Sequence, residues 1–243
     1  MNRCFLPPDR WKPGHSLQDR EAHHLIHVLR IHPGDKVLCL DGEGRAAEAI
    51  VKTVRRSAVI LDLGEPYLLP KPLIQITLAV AVPGQGKLDA IISAASQLGA
   101  ERIIPMITQR CVVRLSEERF RRKQEHLHQV AVEALKQSGS GWLTAIDPFT
   151  LWDDVVSTFS EYTLVLVAAV EGPYELCRDL LASRPRRILL LVGPEGDLAP
   201  EEIRHAVEAG AHRMSLGSTI LRTDTACTAA LAILNFFARE GAP

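Results

Sequence analysis

The chain has 243 residues, of which 47% are hydrophobic and 23% charged, and its formal net charge at pH 7 is −1. This length and apolar content can bury one large core or two modest ones. The near-neutral charge excludes a polybasic, histone-like binder. The longest apolar stretches fall far short of the roughly 18–20 residues of a membrane span, and the N-terminus lacks the apolar core of a signal peptide. We therefore expect a cytoplasmic protein with no membrane segment.

The first 63 residues read as a small β domain, with short apolar runs broken by Gly and Asp. Three strands are predicted, at residues 36–40, 46–54 and 57–63. Residues 19–31 have apolar side chains at helical spacing and predict a helix. Residues 64–72 hold three prolines and are the predicted linker, because proline cannot join the interior of a sheet.

From residue 73 onward, strands alternate with helices. Strands are predicted at residues 73–82, 103–107, 164–169, 188–192 and 213–216. Helices are predicted at residues 87–98, 117–137, 174–183, 200–209 and 223–238. This alternation indicates an α/β fold with a mainly parallel sheet, helices on both faces, and a ligand site at the carboxyl ends of the strands.

Two glycine-containing turns follow strands in the C-terminal part, at residues 193–196 (GPEG) and 215–222 (SLGSTILR). A turn between a strand and a helix exposes backbone N–H and C=O groups to a small ligand. Two such turns predict a cofactor site. A third turn, at residues 84–86, places Asp89 where a dinucleotide motif needs glycine, which disfavours a Rossmann site and leaves Lys87 free for a phosphate.

Histidines and cysteines do not form a metal motif. Five cysteines are scattered without C-x-x-C spacing, as expected for reduced, mostly buried thiols. Histidines cluster at residues 23, 24, 27 and 32, and His23 and His27 lie one helical turn apart, as two ligands can. No further ligands complete a four-ligand shell, so we expect no metal. These side chains pack, form hydrogen bonds or contact RNA.

Basic side chains concentrate at two places in this nearly neutral chain. One pair is Arg55-Arg56. The other group comprises Arg110, Arg114, Arg119, Arg121, Arg122 and Lys123. A single run of this kind is usually a solvated helix face, whereas two patches beside a cofactor site are equally compatible with a clamp on a phosphate backbone. Both interpretations stay open.

Residues 193–202 and 216–223 closely resemble the two C-terminal motifs of the RsmE family, the SPOUT methyltransferases that modify uridine N3 in small-subunit ribosomal RNA. The resemblance continues in chain order at residues 23–35, 97–113 and 133–138. It implies a trefoil-knotted SPOUT domain at residues 73–243, an exception to the rule that chains do not thread their own loops. It also implies a PUA-like, RNA-binding β-barrel at residues 1–68.

The resemblance further implies S-adenosylmethionine as the cofactor and a homodimer that acts on 16S ribosomal RNA in the assembled small subunit. By position, the cofactor-binding residues would be Leu191, Gly193, Glu195, Gly196, Leu216, Gly217, Ile220 and Leu221. The RNA-binding residues would be His24, Arg30, Arg110, Arg114, Arg121 and Arg122.

The chemistry suggests two catalytic residues. Uridine N3 is an imide N–H that must lose its proton before it attacks the methyl group, and the resulting charge spreads onto O2 and O4. Arg222 is the first candidate to stabilise that charge, because a guanidinium is always positive. Glu195 orients the base or accepts the proton, or it is only a turn carboxylate that binds backbone N–H groups.

The chain departs from the family pattern at four positions. It has Ser140 and Thr219 where the family commonly has Arg, Asp197 where it has Gly, and Asp224 where it has Glu. The absence of these two arginines weakens the expected binding of RNA. Two other functions remain: a SPOUT enzyme for another RNA, disfavoured by the barrel motifs, and a catalytically silent RNA-binding assembly factor, disfavoured by the intact cofactor turns.

Overall fold

The computed structural model describes residues 1–11, 16–84, 86–111, 117–169 and 177–240. The chain forms two compact units. The first comprises Met1–Lys71 and Val132–Leu143, and the second comprises Pro72–Ala131 and Thr144–Pro243. The domain bounds expected from the sequence, 1–68 and 73–243, stay a prediction.

The first unit is built on a curled, six-stranded sheet. Its strands are β1 (Asn2–Phe5), β2 (Ser16–Leu17), β3 (Lys36–Leu40), β4 (Arg45–Val54), β5 (Val59–Leu63) and β6 (Tyr67–Leu68). The strand order is β1-β3-β4-β5-β2, with β6 beside β4, and only the β1–β3 pair is parallel. A register shift between Val51 and Thr53 interrupts the β4–β5 ladder, and such bulges bend a strand. Alternate side chains, including Val37 and Leu61, fill the core of this unit.

The structure corrects several expectations for this unit. The predicted helix over 19–31 is α1 (Asp19–His23) followed by a π-helical segment, His24–Val28. It ends before Arg30, which has a left-handed backbone with φ of 51°. The predicted linker contains β6, which pairs with β4. The two-residue strands β2 and β6 were not predicted, because two residues cannot show an alternating pattern.

A buried lysine ties the segment Val132–Leu143 into the first unit. Lys136 is only 5% exposed, and its Nζ donates to carboxylates of Glu21 and Glu133, each at 2.8 Å. Burial opposes the positive charge, but the two hydrogen bonds and carboxylate charges outweigh it and raise the pKa of Lys136. A buried charge paired in this way is costly to disturb, so Lys136 fixes α1 against this segment.

The second unit contains a seven-stranded parallel sheet, with strand order β10-β8-β7-β12-β11-β13 and β9 beside β8. Its strands are β7 (Gln75–Ala81), β8 (Arg102–Ile107), β9 (Ala145–Ile146), β10 (Thr150–Leu151), β11 (Leu164–Ala168), β12 (Arg187–Val192) and β13 (His212–Met214). Its helices are α2 (Lys87–Gln97), the first part of α3 (Glu117–Ser138), α4 (Trp152–Ser157), α5 (Cys177–Leu181), α6 (Pro200–Glu208) and α7 (Thr223–Glu240).

Helices cover both faces of the parallel sheet, as predicted. On one face, Leu189 of β12 shares a core with Trp152 of α4 and Ala206 of α6. Leu190 points to the opposite face, because side chains alternate along a strand. On that face α7 packs against β12 and α2. Burial on both faces explains why these strands read as continuous apolar runs.

The predicted alternation of strands and helices is confirmed, with shifted ends. The strand expected at 213–216 is β13, which ends at Met214. Residues 174–176 of the helix expected at 174–183 lie outside the described residues, and α5 begins at Cys177. Strands β9 and β10 and helix α4 were not predicted.

Membrane spans and metal clusters are absent from the described part of the chain. None of its helices is long and apolar enough to cross a membrane. Within those same residues, no three His, Cys, Asp or Glu side chains come together as metal ligands could. Four of the five cysteines are described as free thiols: Cys4, Cys39, Cys111 and Cys227.

Candidate functional site

A cleft opens at the carboxyl ends of three neighbouring strands in the second unit. Strands β11, β12 and β13 end side by side, and Ala168 pairs in register with Val192 and Met214. The cleft spans about 570 Å³ when space open to solvent is included. Its lining residues are Ala168, Ala169, Val192, Gly193, Pro194, Glu195, Asp197, Leu216, Gly217, Thr219, Ile220, Leu221, Thr223 and Ala226.

The wall after β12, residues 193–198, is named here the first loop, and its backbone is tightly folded. A Cβ on Gly193 would lie 2.7 Å from the backbone nitrogen of Leu198, so no side chain fits at this position. The N–H of Asp197 donates to the carbonyl of Pro194 at 2.9 Å. Asp197 has a left-handed backbone, with φ of 61°, a conformation that Gly, Asn and Asp adopt most readily. This explains why glycine, the residue common in the family, also suits this position.

Glu195 ties the first loop to the start of α2. Its Oε1 accepts a hydrogen bond from Nζ of Lys87 at 2.8 Å, and its Oε2 accepts one from the N–H of Gly84 at 3.3 Å. The hydrogen bond from Lys87 outweighs partial burial and holds the pKa of Glu195 below its ordinary value. The side chain is therefore a weak proton acceptor. Lys87, expected to be free for a phosphate, is instead paired with this carboxylate.

Two further side chains brace the first loop from neighbouring segments. The guanidinium of Arg110 donates to the carbonyl of Gly196. Glu202, only 8% exposed, accepts hydrogen bonds from the N–H groups of Gln109 and Ala199, both at 2.8 Å. A carboxylate that satisfies backbone donors at the start of α6 fixes both the helix and the loop before it. The first loop is thus held at several points.

The opposite wall, residues 215–222, is named here the second loop, and it is much more open. The hydroxyl of Ser215 accepts a hydrogen bond from the N–H of Gly217 at 3.3 Å. Gly217 has φ of 117°, and a Cβ built there would meet nothing within 4 Å. The side chain of Ile220 is 79% exposed at the mouth of the cleft. This loop offers backbone groups and apolar surface with little support of its own.

One lining residue of the cleft has a buried polar atom without a partner. Thr223, the first residue of α7, is 3% exposed, and its Oγ1 makes no hydrogen bond within the described residues. A buried hydroxyl without a partner is unfavourable by about 1–3 kcal/mol. A ligand reaches this hydroxyl only after a local movement, because the atom has almost no accessible surface.

Comparison with known proteins connects this cleft to a family. A family model described as an RNA methyltransferase domain matches residues 69–235, and one described as an RNA methyltransferase PUA domain matches residues 17–63. A Synechocystis protein named ribosomal RNA small subunit methyltransferase E is 32% identical over 90% of this chain and 72% of its own. This chain belongs to the ribosomal RNA small subunit methyltransferase E family. The protein of the same name from Bacillus subtilis is 27% identical over 97% of this chain and 96% of its own.

Solved structures of relatives have the same fold. A methyltransferase E from Neisseria gonorrhoeae, bound to S-adenosylmethionine, has a TM-score of 0.85 at 26% identity and covers 97% of both chains. A Legionella pneumophila protein described as a methyltransferase, also with S-adenosylmethionine, has a TM-score of 0.88 at 25% identity and covers 96% of both chains.

Most cofactor residues expected for this family member lie in the cleft lining. They are Gly193, Glu195, Leu216, Gly217, Ile220 and Leu221. Leu191 is fully buried within β12, and Gly196 contributes its carbonyl to Arg110 rather than to the lining. The sequence interpretation missed other lining residues, notably Asp197, Thr219 and Thr223, although the last two lie within the second motif.

Arg222, the expected catalytic cation, lies between two lining residues but is not itself part of the lining. Its side chain is exposed, and no salt bridge or hydrogen bond from it to another described residue is present. The guanidinium is therefore available at the edge of the cleft. Its catalytic role stays a prediction.

The expected RNA-binding residues occupy both units. In the first unit, His24 lies in the π-helical segment, and Arg30 is the exposed residue with a left-handed backbone. In the second, Arg121 and Arg122 are exposed on α3, where Arg122 pairs with Glu118 at 2.6 Å. Arg110 contacts the first loop, as described above. Arg114 lies outside the described residues.

A basic cleft in the first unit was not predicted as a site. It is lined by Gln18, His23, His27, Arg56, Ser57 and Ala58. The rings of His23 and His27 lie 4.5 Å apart, and the lining contains no carboxylate. The helical spacing of the two histidines could be recognised in the sequence. The position of Arg56 beside them depends on the β4–β5 turn.

Proposed function

We propose that this protein transfers the methyl group of S-adenosylmethionine to N3 of a uridine in 16S ribosomal RNA of the small subunit. The observation that carries the proposal is the cleft formed by two loops at the carboxyl ends of β11, β12 and β13, in a chain of this family. Relatives of the same fold are known with S-adenosylmethionine bound.

The residues of the cleft suit this cofactor. The backbone around Gly193 and Gly217 is exposed without intervening side chains, which provides N–H and C=O groups for polar parts of a ligand. Leu216, Ile220 and Leu221 supply apolar surface for an adenine ring. When bound, S-adenosylmethionine supplies a methyl group already activated by its sulfonium.

Arg222 is the residue that we assign to charge stabilisation. Loss of the N3 proton places negative charge on O2 and O4 of the uracil, and a guanidinium, which is always positive, is a strong donor to such oxygens. The exposed position of Arg222 beside the lining leaves its donors free for the base. Removing one such donor costs about 100-fold to 1,000-fold in rate in other enzymes.

Glu195 has a positioning role in this proposal. Its pairing with Lys87 lowers its pKa, which makes it a poor proton acceptor near neutral pH. Of the alternatives that the sequence left open, the hydrogen bond from the N–H of Gly84 supports the carboxylate that binds backbone N–H groups, and we propose that Glu195 holds the first loop in place. We infer that the N3 proton leaves to solvent or to another group.

Recognition of RNA falls to basic surfaces on both parts of the chain. We propose that residues 1–68 bind RNA and that residues 73–243 catalyse transfer. The lining of His23, His27 and Arg56 in the first unit has only neutral or basic side chains, which suits a phosphate. Arg121 and Arg122 offer further cations on α3. An enzyme with this substrate works in the cytoplasm.

We further propose that the C-terminal segment is threaded as a trefoil knot and that the protein is a homodimer. The knot is proposed from the family, and α7 packing against β12 and α2 after β13 is compatible with such threading. In support of the dimer, α7 exposes the apolar side chain of Phe236, which is 58% accessible. Ile220 at the mouth of the cleft offers more such surface.

A transfer assay with methyl-labelled S-adenosylmethionine tests the substrate class. Purified small subunits, large subunits and transfer RNA from cells lacking the modification are incubated with the protein. Incorporation of label into 16S ribosomal RNA alone supports the proposal. Incorporation only into transfer RNA or the large subunit would replace the substrate, and cofactor binding without incorporation into any RNA would favour a silent binding factor.

A further inference from the structure

Asp197 places a negative charge on the wall of the cofactor cleft. We propose that this charge makes the cleft prefer S-adenosylmethionine, which is a sulfonium cation, over the neutral thioether S-adenosylhomocysteine that transfer leaves behind. The inference rests on the proposed function and concerns a position where the family commonly has glycine.

The backbone holds the Asp197 carboxylate at a fixed point of the wall. Its Oδ1 accepts a hydrogen bond from the N–H of Leu198 at 2.8 Å. The same oxygen lies 3.1 Å from the position that a Cβ on Gly193 would take. The side chain thus lies against the most closely packed part of the first loop, and it is part of the cleft lining.

The charge of Asp197 is not balanced by a cation of the cleft. The ionisable side chains of the lining are Glu195 and Asp197, both acidic, and no Lys, Arg or His is among the lining residues. Glu195 is paired with Lys87 at 2.8 Å. Within the described ranges, Asp197 is in no salt bridge, and neither Arg110, which donates to the carbonyl of Gly196, nor Arg222 at the edge of the cleft is paired with it.

Transfer changes the charge of the bound molecule by one unit. The bond from sulfur to the methyl carbon breaks, its electron pair stays on sulfur, and a bond from N3 to that carbon forms as the N3 proton is lost. The sulfonium becomes a neutral thioether. A carboxylate on the wall of the cleft attracts the cation and not the neutral product, which favours exchange of spent product for fresh cofactor.

The effect is modest, because the carboxylate is partly exposed and water screens it. Exposed ion pairs contribute up to about 1 kcal/mol, which corresponds to a factor of about three to five in affinity. We expect the ratio of the two dissociation constants, S-adenosylhomocysteine over S-adenosylmethionine, to fall by this factor when the charge is removed.

Calorimetric titration of both molecules into the protein and into Asp197→Asn measures that ratio. Asparagine is the matched variant, since it tolerates the left-handed backbone and keeps an oxygen for the N–H of Leu198. The ratio is expected to fall about threefold to fivefold in the variant, mainly through weaker binding of S-adenosylmethionine. An unchanged ratio would overturn the inference.

Two controls separate this effect from others. Asp197→Gly, which suits the same backbone, is expected to lower the ratio as Asn does, so a folding defect in one variant does not decide the result. Glu208→Gln, an exposed acid at the end of α6, is expected to leave the ratio unchanged. An equal fall in Glu208→Gln would assign the preference to the general field of the protein and overturn the role of Asp197.

Failure of the proposed function gives a different result. If the unaltered protein binds neither molecule, the cofactor assignment is wrong and the inference falls with it. If it binds both and the ratio is insensitive to Asp197, the cofactor assignment stands and only the inference is wrong.

Discussion

The two loops that face each other across the cleft differ in how they are held. The first loop is fixed by Lys87 and Arg110 from neighbouring segments and by close backbone packing at Gly193. The second loop makes a local contact between Ser215 and Gly217 and leaves its remaining side chains largely exposed.

From this difference we infer that the two walls of the cleft have different roles. A wall with many long-range contacts keeps its shape with or without a ligand, whereas one with few buried contacts opens and closes at low free-energy cost. We therefore infer that the first loop is the preformed wall of the proposed cofactor site and that the second loop, with Arg222 at its end, adjusts when cofactor and base bind.

The largest expected effect comes from the adjustable wall. Arg222→Ala removes the proposed donor to the uracil oxygens, so the single-turnover rate should fall about 100-fold or more. The affinity for S-adenosylmethionine should stay within about twofold, because Arg222 is outside the lining. Arg222→Lys keeps the positive charge but lacks the planar guanidinium, so its rate should lie between that of the unaltered protein and that of Arg222→Ala. If Arg222→Ala kept the full single-turnover rate, Arg222 would have no role in catalysis.

The two glycines provide a direct contrast between the loops. Gly193→Ala forces backbone to move, since its Cβ would lie 2.7 Å from the nitrogen of Leu198. We expect a loss of about 1–3 kcal/mol in the free energy of unfolding and at least tenfold in cofactor affinity. A Cβ at position 217 would meet no atom within 4 Å. Gly217→Ala therefore strains only the backbone, which has a φ of 117°.

Chemical denaturation and calorimetry on both variants measure the contrast. Gly217→Ala should be the milder change in stability, with a cost of about 1 kcal/mol. Equal losses in stability would show that the first loop is no more constrained than the second.

Lys87 tests the tether of the first loop. Lys87→Met keeps the length of the side chain but removes the ion pair with Glu195, and both partners are partly exposed. Cofactor affinity should fall about twofold to fivefold, in line with the small free energy of such pairs. Lys71→Met, in the first unit, is a control that should leave the cofactor affinity unchanged. No change in Lys87→Met would mean that close packing alone holds the loop.

The smallest effect concerns pH. The pKa of Glu195 is lowered, so its contribution to the folded loop is present above its ordinary value near 4.5 and is lost as pH falls through the lower value. Between pH 6 and 9 the tether should be constant, and Glu195→Gln should leave the shape of the rate profile unchanged there. An inflection near neutral pH that disappears in Glu195→Gln would identify it as the proton acceptor.

The alternation of long elements could be predicted from the sequence, because buried parallel strands such as β12 read as continuous apolar runs. The same pattern placed both glycine turns at the carboxyl ends of strands. The strands with only two residues could not be predicted, since β2 and β6 have no period to detect. The π-helical segment could not be predicted either, because its apolar spacing is close to that of an α-helix.

The contacts that shape the site depend on residues far apart in the chain. The pairing of Lys87 with Glu195 joins positions 108 residues apart, and no local sequence pattern predicts it. The contact of Arg110 with Gly196 spans 86 residues, so a side chain interpreted as an RNA contact also supports the cofactor wall. Asp197 stood out only as a departure from the family, and the structure shows it in the lining.

Mass spectrometry of nucleosides from small subunits treated with the protein and S-adenosylmethionine tests the central claim most directly. The account predicts N3-methyluridine at one mapped position of the 16S ribosomal RNA, absent without protein and strongly reduced with Arg222→Ala. A methyl group on another atom, such as C5 or a ribose oxygen, or on another base, would contradict it.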